Sequence, residues 1–207
     1  MEKVRIIGCG GHARSVADVL IDNQEDISLV FFDKNAKSDE KILERNGVGY
    51  PVYPISQINI DDCDYFFAIG DNKCRQDIVK KLDLAGMATT IISNKSYVSK
   101  YADIGCGVFV AEGAHIGPDA KVGNYTIINT SAVIEHEVSV GDFSHISVNS
   151  TVCGRCSIGN NVFIGAGAVV KDKLSICDNV IVGANAVVIK DIVIPGTYVG
   201  NPLRKIK

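Results

Sequence analysis

No apolar run in these 207 residues is both long enough and free enough of charge to cross a membrane as a helix. The opening MEKVRIIGCGG lacks the layout of a secretion signal, because its apolar stretch is short and reaches glycine at once. Charge is nearly balanced, and a formal −3 offers no basic surface to nucleic acid. The seven cysteines (residues 9, 63, 74, 106, 153, 156 and 177) are odd in number and scattered. Without an export signal they read as reduced thiols in a cytoplasm. Cys153-Gly-Arg-Cys156 alone has CxxC spacing.

What the chain has instead is a period. Stepping by six from Val98 gives Ile104, Val110, Ile116, Val122, Ile128, Ile134, Val140 and Ile146. The series continues through Val152, Ile158, Ile164, Val170, Ile176, Val182, Val188 and Ile194, every member Val or Ile. The fourth residue after each hit is small or aliphatic, and glycine often follows the hit directly, as at Gly117, Gly123 and Gly141. A six-residue repeat of this kind specifies a β-helix: each hexad is one short strand and one corner, and three hexads close a triangular coil. Coils stack about 4.8 Å apart. The register points Cys153 outward and Cys156 into the core, so the CxxC is neither a redox pair nor half of a metal site.

Before Val98 the period is absent. VRII (4–7), SLVFF (28–32) and DYFFAIG (64–70) read as strands, and ATTII (88–92) as a fourth. A glycine turn, GCGGHA (8–13), leads into a helical run at 15–22, and a second helix starts at Asp71 or Asn72. Strands alternating with helices predict a small parallel sheet. Residues 34–57, polar and holding Pro51 and Pro54, read as a loop and connector. Gly8-x-Gly10-x-x-Ala13, with Asp33 at a strand end, fits a dinucleotide fingerprint. The unit is only half the length of a dinucleotide fold, so a mononucleotide-type group suits it better, with a purely structural strand–turn–helix as the alternative. His12 in the turn weighs toward a ligand. The domains expected are therefore 1–93, a half-Rossmann unit, and 94–207, a β-helix with a C-terminal tail.

In IEHEVSVGDFSHIS (134–147), His136 falls two places after a hit, at a corner and facing outward. Gly154, one coil above, leaves open space over the ring where a thin ligand chain would lie. Glu135 or Glu137 can hold one ring nitrogen and leave the other basic, as a general base requires. His145 is half a coil out of phase and meets His136 only across a subunit boundary. His115 reads as a solvated corner residue. Three histidines binding zinc at a trimer interface is a competing reading, although their spacings do not converge readily. A scaffold whose β-helix only trimerises is another.

GCGGHARSVADVL, FFAIGDN, INTSAVIEHEVSVGDFSHIS and PGTYVGNP together resemble the PglD/NeuD-type sugar acyltransferases over residues 4–204. The IEHE and FSH segments are nearest to the bacillosamine-pathway N-acetyltransferases, which use UDP-amino sugars. The resemblance implies a left-handed β-helix, a homotrimer, acetyl-CoA as co-substrate without a metal, and an active site between neighbouring β-helices. It implies His136 as base and Glu137 as the residue fixing its tautomer. It places Asn129 near the thioester, and His145, Gly154, Gly165, Gly183 and Arg204, with Lys205, along acetyl-CoA. Gly10, Gly11 and His12 would cradle the sugar diphosphate, and Asp33, Lys34, Gly70, Asn72 and Arg75 would line the nucleotide end. The acceptor implied is a 4-amino group on a nucleotide-linked deoxysugar, with a hydroxyl on a sugar such as sialic acid as the alternative.

Overall fold

The apolar run VRII builds a strand buried on both faces, as the central strand of a parallel sheet must be. The computed structural model describes residues 3–24, 26–45, 48–58, 64–84 and 88–207, and Cys63 lies outside them. The chain divides into two units, Met1–Ile91 and Ile92–Lys207. The first runs β1 (Lys3–Ile7), α1 (Gly11–Asn23), β2 (Ser28–Asp33), β3 (Lys41–Arg45), β4 (Val48–Pro54), a 3₁₀ turn at Ile55–Gln57, β5 (Asp64–Phe67) and α2 (Asn72–Leu82). Sheet order is β3-β4-β2-β1-β5, parallel except where β3 meets β4. Helix α1 buries Ala13, Val16, Ala17 and Leu20, one stripe at helical spacing. Among the described residues no helix is long and apolar enough to cross a membrane.

Three expectations for this unit are corrected. Residues 34–57 are not a plain connector, because β3, β4 and the 3₁₀ turn occupy most of them. Ile42 and Val52 supply the buried apolar contact that orders the pair. ATTII is not one strand: Ala88 only bridges to Tyr65, and Ile91–Ile92 is a separate two-residue strand. Helix α1 starts at Gly11, so His12 belongs to its first turn and not to the loop before it.

The second unit is a left-handed parallel β-helix. Its strands are mostly two residues long and pair in parallel with the strands eighteen residues before and after. One face runs from Tyr97–Val98 through His115–Ile116 and Val133–Ile134 to Val187–Val188, a second from Asp103–Ile104 to Ser175–Ile176. The third includes Ile127–Ile128, His145–Ile146 and Phe163–Ile164. The hits from Val110 to Val188 are buried, as are nearly all the fourth-place residues, and these form one continuous core. The third residue after a hit turns the corner in the left-handed region, for example Asp119 (φ 58°), Glu137 (φ 60°) and Arg155 (φ 62°). Such a conformation is costly for a side chain in isolation and persists here because the stack above and below imposes it. The period slips only at its end. Ile192 fills the last fourth place at 3% exposure, whereas Ile194 is 57% exposed, since the chain departs at Pro195-Gly196.

A ladder runs up one corner. The backbone N–H groups of Cys106, Asn124, Asp142 and Asn160 each donate to the side-chain Oδ1 of the residue eighteen places on, Asn124, Asp142, Asn160 and Asp178 in turn, at 2.7–3.0 Å. Inside, the polar fourth-place residues Thr126 and Ser144 donate to the carbonyls of Gly141 and Gly159, which satisfies their hydroxyls within the core.

Candidate active site

A cleft of about 370 Å³ opens at the carboxyl ends of β1, β2 and β5, where α/β sheets bind ligands. Gly10, Gly11, His12, Asp33, Lys34 and Gly70 line it, together with Phe32, Ile55, Ile69 and Cys74, which the sequence did not single out. A Cβ on Gly10 or Gly11 would meet nothing within 4 Å, so neither glycine answers to packing in its own chain. Gly8 does: its φ is +110°, and a Cβ there would lie 2.8 Å from the Ala68 carbonyl. Helix α1 starts at Gly11 behind an N-cap, Gly10, that makes no side-chain cap hydrogen bond, and a helix N-terminus of this kind favours an anion. Asp33 fixes the loop by accepting from the Cys9 N–H (3.2 Å) and the Asn35 N–H (2.8 Å). Burial, with Asp33 beside it, pushes the Cys9 thiol up to about 11, so it stays protonated.

Two expected residues do not line this cleft. Arg75 is 1% exposed, and its guanidinium donates to the carbonyls of Ile69 (2.7 Å) and Gly70 (3.3 Å) and to the side-chain oxygen of Asn72 (2.9 Å). Arg75 and Asn72 therefore shape the β5–α2 turn from behind it. Burial lowers the guanidinium to about 10.

On the β-helix, His136 stands at the end of the first face with 43% of its side chain exposed. Its Nδ1 lies 2.9 Å from Glu137 Oε2, and Arg155 Nε donates to the same oxygen at 3.0 Å. A carboxylate accepts only, so in the neutral ring Nδ1 carries the proton and Nε2 keeps its lone pair. The hydrogen bond from Arg155, then that from His136, holds the Glu137 carboxyl below its ordinary range. The choice between flanking glutamates is resolved, because Glu135 accepts the His136 backbone N–H (3.3 Å). The expected open slot over the imidazole is corrected. A Cβ on Gly154 would lie 2.6 Å from both Cε1 and Nε2, so the ring itself occupies the space the glycine leaves.

His145 sits on the third face, 8% exposed, edge-on to Phe163 with centroids 5.1 Å apart. Its partner is Asn129, whose Nδ2 lies 3.1 Å from Nε2. Asn129 Oδ1 accepts the Thr130 N–H (2.8 Å), which turns the amide so that Nδ2 donates and Nε2 accepts. Asn129 and His145 are thus brought together, on a different face from His136. His115 is not a corner residue: it lies in a strand, its ring stacked on Tyr97 at 4.9 Å. Among the described residues no three His, Cys, Asp or Glu side chains gather as a metal site. Cys156 is 2% exposed and its Sγ lies 3.0 Å from the Lys171 carbonyl, core filler as the register required.

Gly165 and Gly183 have reasons inside the stack. A Cβ on Gly165 would lie 2.6 Å from the Ala184 nitrogen, and one on Gly183 2.8 Å from Val199 Cγ1. Arg204 is exposed in Arg204–Lys205, which pairs antiparallel with Gly196–Val199, and the Lys205 ammonium lies over the Tyr198 ring at 5.9 Å. Arg155 was missed by sequence reading. Its signal was the offset of eighteen that sets Gly154-Arg155 above His136-Glu137.

Comparison with known proteins adds an independent line. Residues 3–82 match the PglD N-terminal domain, and residues 137–172 and 155–190 match the bacterial transferase hexapeptide, six repeats. The acetyltransferase domain of PglB from Neisseria gonorrhoeae is 27% identical and superposes with a TM-score of 0.91, all of each chain being covered. GDP-perosamine N-acetyltransferase from Caulobacter crescentus, solved as a mutant with CoA and GDP-perosamine, is 30% identical with a TM-score of 0.87. The match covers 100% of this chain and 98% of that one. The Neisseria domain has also been solved with acetyl coenzyme A. An uncharacterised protein of Acanthamoeba polyphaga mimivirus is 34% identical over 126 residues, 60% of this chain and 24% of that protein's length. The chain thus spans about a quarter of that curated relative.

Proposed function

The chain belongs to the PglD/NeuD-type, hexapeptide-repeat sugar acyltransferases, and from that premise we propose that it moves an acetyl group from acetyl-CoA to an amino group of a nucleotide-linked deoxysugar. The observation that carries this reading is the state of His136. Its Nδ1 proton is committed to Glu137 while Nε2 retains a lone pair on a partly exposed corner. The acceptor nitrogen attacks the thioester carbonyl carbon and its proton passes to Nε2. The C–S bond breaks, and the departing CoA sulfur takes the proton, giving the N-acetyl sugar and free CoA. A thioester is already activated, so orientation supplies much of the acceleration and base catalysis about 10²–10⁴-fold. No acyl-enzyme is needed: Cys153 lies beside Glu135 and Asp172, and burial, then these carboxylates, push its thiol up, against thiolate formation.

In this reading the N-terminal cleft takes the nucleotide diphosphate, with Gly10, Gly11 and His12 at the phosphates and Asp33, Lys34 and Gly70 along its wall. Asn129 and His145 form a wall of the acetyl-CoA site, and Arg204 meets the CoA phosphates. The enzyme works as a homotrimer, each active site lying between neighbouring β-helices, and it acts in the cytoplasm. The IEHE and FSH segments favour a UDP-sugar, whereas the Caulobacter relative was solved with a GDP-sugar. The test is incubation with acetyl-CoA and, separately, UDP-amino sugars, GDP-amino sugars and sialic acid, following thiol release. Release with a nucleotide amino sugar is expected. Release with sialic acid alone would replace the amine by a hydroxyl, and release with none would sink the reading.

A further inference from the structure

Resting on that reading of His136, we propose that Arg155 is a positioning residue of the site, gripping Glu137 so that the imidazole keeps its proton on Nδ1 and offers Nε2 to the acceptor. Glu137 is half exposed, and a lone surface carboxylate is free to swing into water. One bond to the neighbouring ring does not immobilise it. Arg155 lies eighteen residues on, one coil above Glu137, with nearly the same left-handed backbone (φ 62° against 60°), so the two side chains leave the corner together. It donates through Nε, close to its own stem, to the very oxygen that accepts Nδ1–H. Its backbone N–H also donates to the His136 carbonyl at 3.0 Å. Ring, carboxylate and guanidinium are therefore referenced to one another through both side chain and main chain. An arginine is suited to this, because its side-on Nε–H meets a carboxylate at a fixed angle that a lysine ammonium does not impose.

The test uses the full chain with ¹⁵N-labelled histidine. In mildly alkaline buffer the neutral ring of His136 should carry its proton on Nδ1 in the wild type. In R155A it should move largely to the Nε2–H form, with R155K between the two. kcat should fall about tenfold in R155A with KM for acetyl-CoA within about twofold, as expected for loss of a group that orients a catalytic side chain. An unchanged tautomer in R155A overturns the proposal, and so does a loss of kcat without a change of tautomer. The guanidinium is half exposed, and equal melting temperatures check that the fold is kept. If R155A does not fold, R155K and R155Q are read in its place. Absence of acetyl transfer in the wild type would sink the function proposed above, while the tautomer measurement would still decide the role of Arg155.

Discussion

His136 and His145 are nine residues apart in one β-helix, and both rings carry the proton on Nδ1, yet they are built for opposite ends. At His136 the partner is a charged acceptor on Nδ1, the ring is partly exposed, and Nε2 is left over. At His145 the partner is an amide donor on Nε2, the ring is buried against Phe163, and that lone pair is already used. What makes a histidine a base is which nitrogen its surroundings leave idle. Proximity to acidic residues or to other histidines does not decide it.

The largest test of this contrast is at the two rings. His136→Ala should lower kcat about 10²–10⁴-fold with an unchanged melting temperature. His145→Phe, which keeps the bulk, should cost far less and act mainly on KM for acetyl-CoA. A comparable loss of kcat in both would erase the distinction. Next is Gly154→Ala: a methyl 2.6 Å from Nε2 must push the ring aside, and kcat should fall about 10–100-fold, because a displaced base loses its alignment. Full activity in that variant would mean the ring has another resting place. Asn129→Leu frees the His145 lone pair without touching His136. It should change kcat less than about threefold and raise KM for acetyl-CoA about three- to tenfold, the share expected of one lost polar contact.

The smallest effect is on stability with pH. A carboxyl held below its ordinary value favours the fold above that value and loses the benefit as pH falls through its lowered one. Glu137→Gln should therefore trim the melting temperature by only about 1 °C at pH 7 and by progressively less as the pH falls below the ordinary carboxylate range, since the pair is exposed. A large shift at pH 7, or one that grows on acidification, would mean that Glu137 is more than an orienting partner.

Legibility in the sequence divides by region for a physical reason. In the β-helix each residue's environment follows from its place in the hexad, so the core, the burial of Cys156 and the outward corner of His136 could all be read. Contacts eighteen residues apart follow from the same rule, and Arg155 was missed because only adjacent residues were weighed as partners for Glu137. The first unit has no such rule. Strands β3 and β4 went unread because Pro51 and Pro54 argue against a strand. Pro51 pairs with Lys41 of the edge strand β3, and few apolar side chains, Ile42 and Val52 among them, hold the pair. Arg75 was placed at the nucleotide end by the family resemblance alone. Its guanidinium instead answers the carbonyls of a turn that no local pattern announces.

The Asn124–Asp142–Asn160–Asp178 ladder carries a rule about how this molecule can change length. Each amide along that edge is answered by the floor above it, so removing a partial storey would strand a donor and misalign every side chain higher up. Insertions and deletions within the prism should survive only as whole storeys of eighteen residues, while the corners tolerate loops that bulge outward.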